Sequence, residues 1–159
     1  MNNKKSLTHV WSVACSNSLL DKESNNISLL NTLEKWTISV NESELEKVKK
    51  NGAEGIVFPI SFEVVSRFTR KEVGAGEAFD YKLNLINPGG KSIVNSLQKL
   101  AIDKNIKNIR VRTNIQSLPI SISGDYIITV EFKDVSEAKF DKVAEVPIEV
   151  VINPVPDKK

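Results

Sequence analysis

Over most of this chain apolar and polar residues alternate with a period of two, a pattern that suits strands with one buried face and little else. Ile56, Phe58, Ile60, Phe62 and Val64 alternate with Val57, Pro59, Ser61, Glu63 and Val65, the clearest run in the sequence. Pro59 has no N–H to give to a ladder, so this strand is expected at an edge or with a bulge. Phe79, Tyr81, Leu83 and Leu85 form the next alternating face, and Asn87-Pro88-Gly89-Gly90 after them reads as a hairpin turn. Ile109, Val111, Thr113 and Ile115 alternate with Arg110, Arg112 and Asn114, and Tyr126, Ile128, Val130 and Phe132 repeat the pattern. The last such face is Val146, Ile148, Val150 and Ile152, expected to stop at Pro154 and Pro156.

One helix interrupts the strands. Ser43 and Glu46 form a capping box, acids at 42, 44 and 46 suit the N-terminal end, Lys47, Lys49 and Lys50 suit the other, and Gly52 suits the position past the C-cap. Residues 92–101 fit either period, and a strand continuing the hairpin is preferred. About eight short strands, evenly spaced turns and no repeated strand–helix alternation predict an all-β fold, an antiparallel β-sandwich, Ig-like or related, with one short helix. At 159 residues the chain buries roughly 70% of the surface its unfolded form exposes, enough for one core without staples. A single domain over residues 1–159 is expected, with flexible tails at 1–7 and 154–159. Gly124-Asp125-Tyr126 is placed like the tyrosine corner of immunoglobulin-type sandwiches, where the ring closes one end of the core and the hydroxyl bonds backbone.

The segments Val10-Trp11-Ser12-Val13-Ala14-Cys15, Asn26-Ile27-Ser28-Leu29-Leu30, Pro59-Ile60-Ser61-Phe62-Glu63-Val64-Val65-Ser66-Arg67, Asn87-Pro88-Gly89-Gly90-Lys91 and Gly124-Asp125-Tyr126 together resemble a prokaryotic β-sandwich family of unknown function, over roughly residues 8–152. The resemblance implies the fold and carries no active site.

Much chemistry is excluded by counting. One His and one Cys rule out zinc sites built from four cysteines or cysteine–histidine pairs, and leave no intramolecular disulfide. A formal charge of +2 gives no strong field for nucleic acid or an anionic membrane, and no run reaches the ~20 apolar residues of a membrane-spanning helix. Gly90-Lys91-Ser92 lacks the earlier glycine of a phosphate-binding loop, since Leu85 stands there. His9 and Cys15 lie six residues apart, about 20 Å along a strand, too far to act as base and nucleophile. His9 is read as a surface residue and Cys15 as a small buried hydrophobe. Neither a cofactor nor a metal site is expected, and the sequons at Asn26 and Asn41 are taken as coincidences.

The N-terminus imitates a lipoprotein signal. Lys4 and Lys5 precede an apolar stretch, and Ser12-Val13-Ala14-Cys15 is similar to a cleavage box, but Thr8, His9 and Ser12 interrupt it. A first strand is the preferred reading, with Trp11, Val13 and Cys15 on one face and Val10, Ser12 and Ala14 on the other. A cytoplasmic location is the expectation, and a lipid-anchored domain through Cys15 is the alternative.

Two candidate sites remain. Among the acids, Glu63 sits between apolar neighbours in the strongest strand, where a salt bridge is expected and a carboxylate-based hydrolase is the competing function. The four arginines are more telling: Arg67 and Arg70 end one strand, and Arg110 and Arg112 share a face of another, while the other eighteen positive charges are lysines. Guanidinium groups offer forked donors for carboxylate and phosphate, so the four are candidates for an anion or protein-partner site. The function expected is a non-catalytic binding, accessory or structural module whose ligand, partner and oligomeric state the sequence leaves open.

Overall fold

The computed structural model of the protein describes residues 7–51, 55–73 and 76–157. The elements follow in the order β1 (Leu7–Leu20), β2 (Ile27–Thr32), β3 (Lys35–Asn41), α1 (Glu42–Asn51), β4 (Ile56–Phe58), β5 (Phe62–Arg70), β6 (Glu77–Ile86), β7 (Ser92–Ile102), β8 (Asn108–Ile115), β9 (Leu118–Ile120), β10 (Gly124–Asp134) and β11 (Asp141–Val155). They build a four-stranded sheet in the order β2-β1-β5-β8, a five-stranded sheet in the order β3-β11-β10-β6-β7, and the small pair β4-β9. The fold is all-β with one short helix, as expected, but with eleven strands in place of about eight. Every pairing is antiparallel except β3 with β11, which run parallel.

The period of two decides which side chains meet between the sheets. Phe62, Val64 and Phe68 of β5 face Phe79, Tyr81, Leu83 and Leu85 of β6, together with Tyr126, Ile128, Val130 and Phe132 of β10 and Ile148 and Val150 of β11, in one buried cluster. Its aromatic rings meet edge to face, Phe68 against Tyr81 and Phe132 at centroid distances of 6.1 and 5.4 Å, the arrangement that the ring quadrupole favours. Burying each such side chain contributes roughly 1.5–3 kcal/mol, which makes this cluster the main source of stability.

Several local expectations change. Pro59 does more than mark an edge: it divides the long alternating run into β4 and β5, and the Ile60 amide bonds the Phe58 carbonyl at 2.8 Å across the break. Residues 92–101 lie in strand β7, joined to β6 by the turn at Asn87, with Gly90 at φ +80°. The capping box does not form, because α1 begins at Glu42 and Ser43 instead donates to Asp157 at 2.7 Å; Gly52 lies outside the described residues. Leu7, assigned to a flexible tail, opens β1 and is buried. At the other end β11 runs past Pro154, which lies beside Val40 in the parallel pairing with β3. Tyr126 behaves as a tyrosine corner should: the ring is fully buried and its hydroxyl donates to the Ile122 carbonyl at 3.0 Å.

Candidate functional site

The four arginines do not gather. Arg67 and Arg70 are three apart on β5, an odd separation that places them on opposite faces of the strand. Arg70 points inward and is 1% exposed, which removes it from any outward-facing anion site. Its guanidinium donates to the carbonyls of Asp103 and Ile106 at 3.1 and 3.2 Å and pairs with Glu77 at 3.4 Å. It ties the end of β5 to the start of β6 and to the turn before β8, and is structural.

Arg67, Arg110 and Arg112 share the outward face of the four-stranded sheet, and the register of its strands sets their neighbours. Val13, Val65 and Arg112 form one cross-strand row, and Cys15, Glu63 and Asn114 the next. Arg112 pairs with Glu63 at 2.8 Å, and Ser18 donates its hydroxyl to the same carboxylate. Burial pushes the Glu63 carboxyl up, but the hydrogen bonds and charge supplied by Arg112 and Ser18 outweigh it and hold the group below the usual glutamate value. The expected salt bridge therefore accounts for Glu63 and engages one nitrogen of Arg112.

A folded-back hairpin covers part of this face. Asn25, in the turn between β1 and β2, accepts from Arg110 on β8 through both its side chain, at 3.1 Å, and its carbonyl, at 2.6 Å. β8 lies two strands away from β1, so the β1–β2 hairpin must turn back over the outer side of β5 and β8. Asn25 itself sits at φ +55°, in the left-handed region that asparagine tolerates better than most residues. The cover explains why Cys15 and Val65 are fully buried although neither belongs to the central cluster. Burial, followed by the Glu63 charge, raises the Cys15 thiol pKa, so the thiol is held protonated.

The remaining row is Trp11, Arg67 and Arg110, side by side on β1, β5 and β8. Like charges directly opposite on neighbouring strands repel, and an acidic side chain nearby would normally relieve them. Among the described residues Arg67 has neither a hydrogen bond nor an ion pair, and Arg110 bonds only the neutral Asn25. The Nε–H groups of both are buried without acceptors. The pair offers two guanidinium charges and an indole to whatever approaches.

Inside the sandwich, sequence reading missed a second constellation. His9 is half-buried where a surface position was expected: a bulge at Val10 turns it inward, opposite Phe68, with the rings edge to face at 5.4 Å. Its Nε2 lies 2.8 Å from Ser12 Oγ, which is 2.7 Å from Ser66 Oγ, itself 2.9 Å from the Tyr81 hydroxyl. On the neighbouring strand Thr113 accepts separately from the Gln98 amide at 2.9 Å. Burial lowers the His9 pKa and drives that of Tyr81 up to about 12, so both are neutral near pH 7. A shallow cleft of about 680 Å³ opens beside Ser12, with Glu34, Asp125 and Glu149 among its lining residues. Asp125 and Glu149 stand opposite each other on β10 and β11, and Lys35 pairs with Glu149 at 3.0 Å. No group of His, Cys, Asp and Glu among the described residues is arranged to hold a metal ion, and no described helix is long and apolar enough to cross a membrane.

No protein-family model matches the chain, and no curated protein sequence matches it. Among solved structures it is similar to a family 123 glycoside hydrolase from Clostridium perfringens, studied for glycolipid glycan hydrolysis, at 16% identity and a TM-score of 0.42. The match covers 95% of this chain and 28% of that one, so the chain spans less than a third of the enzyme's length. At that score the likeness carries no argument about activity.

Proposed function

We propose that this protein is a non-catalytic β-sandwich module that binds an acidic partner through Trp11, Arg67 and Arg110 on the outer face of its four-stranded sheet. One observation carries the reading: Arg67 and Arg110 stand opposite each other with no carboxylate on either among the described residues. A carboxylate laid between two guanidinium groups would relieve their repulsion and supply charge-assisted hydrogen bonds. The indole beside them would favour a cationic or apolar group next to the ligand's acid.

Arg67→Glu tests this directly, because it places the missing carboxylate opposite Arg110 within the chain itself. Titration calorimetry with poly-L-glutamate at low ionic strength should show binding to the natural protein and at least a tenfold loss in the variant, a difference of about 1.4 kcal/mol. Thermal stability should hold or rise by ~0.5 kcal/mol as repulsion becomes attraction. Equal affinity in the two proteins would overturn the reading.

A carboxylate hydrolase is the second reading, favoured by the cleft beside Asp125 and Glu149. A general acid, however, needs a carboxyl withdrawn from water. Both residues are exposed and Glu149 is already engaged by Lys35, so the cleft supports this reading less well than the arginine row supports binding.

A further inference from the structure

We propose that the acidic partner binds as an extended strand added to the open edge of β8, with acidic side chains at alternate positions facing Arg110 and Arg112. This rests on the reading of the arginine face given above and adds to it how the partner is held.

β8 ends the four-stranded sheet: it pairs with β5 on one side, and among the described residues no other backbone hydrogen bond reaches residues 108–115. Its eight residues span about 26 Å at ~3.3 Å each, long enough to template a strand. The edge is held firm from within. Val111, Thr113 and Ile115 are buried, and Gln98 of β7 bonds Thr113 from the opposing sheet. Partner backbone could therefore pair with a ladder that is already ordered, which lowers the entropy lost on binding.

The outward residues of β8 are Asn108, Arg110, Arg112 and Asn114, and they decide what kind of strand fits. Arg110 and Arg112 lie two residues apart, about 7 Å, which is the spacing of alternate side chains in any extended peptide. Each would meet one partner side chain directly across the new ladder, at a Cβ separation of ~5 Å. Arg112 uses one nitrogen on Glu63 and its side chain is 45% exposed, so donors remain for a second carboxylate. Arg67 lies directly behind Arg110 and adds its charge to the same edge. A second copy of this chain meeting β8 edge to edge would set arginine against arginine, and the repulsion disfavours self-pairing. The same charges that discourage a copy select an acidic strand.

Two synthetic octapeptides of equal composition separate this from simple charge attraction: one alternating Glu and Thr, the other with four Glu followed by four Thr. Fluorescence anisotropy at low salt should show the alternating peptide binding at least tenfold more tightly. Amide exchange by NMR should show residues 108–115 gaining protection in its complex. Equal affinities with no new protection on β8 would overturn the added strand and leave the arginine face as a plain acidic-ligand site. No binding of either peptide, or of poly-L-glutamate, would overturn both.

Discussion

The outward faces of the two sheets handle charge in opposite ways. On the five-stranded sheet the strand register brings opposite signs together: Lys82 lies across from Glu131 and pairs with it at 3.4 Å, and Lys133 pairs with Asp80 across the same two strands. Where two acids oppose each other, at Asp125 and Glu149, Lys35 completes the row. On the outward face of the four-stranded sheet only Arg112 is treated this way among the described residues, by Glu63, while Arg67 and Arg110 are left facing each other. A fold that can pair its surface charges, and does so on one face, shows by contrast which pair on the other face is unaccounted for. That contrast gives the arginine row its weight, since a basic row on an otherwise unpaired surface would mean little.

Three substitutions press on this contrast. The largest effect is expected where an arginine is structural: Arg70→Ala would remove a buried charge with its carbonyl contacts and its pair with Glu77, and should cost about 3 kcal/mol in denaturant unfolding while leaving acidic-peptide affinity unchanged. An affinity loss in a variant shown to be folded would mean that the inward and outward arginines are not separate in role. Glu63→Gln comes next. It should cost about 1–2 kcal/mol near pH 7 by weakening the Arg112 and Ser18 bonds. Because the folded-state pKa of Glu63 lies below its unfolded value, its contribution is full above the ordinary glutamate pKa and is lost as pH falls through the lowered one. Stability curves of the natural and variant proteins should therefore converge in acid, and a gap of constant size would contradict the pairing. Smallest of all, Lys82→Ala should change stability by less than ~1 kcal/mol, as ion pairs near the surface do, and should leave binding untouched. A measurable effect on binding there would extend the site to the other sheet and dissolve the contrast.

The fold was legible where alternation was long. The buried faces of β5, β6, β8, β10 and β11 follow from side-chain period alone, and Tyr126 was readable from its place at a strand start. β9 is three residues, too short for any period to register, whereas β4 was read as part of the run that Pro59 divides. α1 was found but its start was misread, because Ser43 has an acidic partner 114 residues away that no local rule can see. The site was legible in part. That Arg67 and Arg70 face opposite ways was implicit in their odd spacing once both were placed on a strand. That Arg67 meets Arg110 depends on β5–β8 register, a long-range property. His9 was misplaced for a different reason: one extra residue at Val10 reverses the parity of everything before it, and nothing in the local composition announces a bulge.

The hydroxyls of Ser12, Ser66 and Tyr81 reach from His9 on the first strand to the facing sheet. A neutral imidazole can accept at Nε2, so Tyr81, Ser66 and Ser12 can each pass a hydrogen toward His9 in a single direction. Their orientations then form one collective variable, because no hydroxyl can turn without its neighbours turning too. A proton gained at His9 Nε2 would demand the opposite polarity from Ser12 through to Tyr81. The charge of one ring on the first strand would in that way be felt on the facing sheet, through rotating hydrogens and with no movement of the backbone.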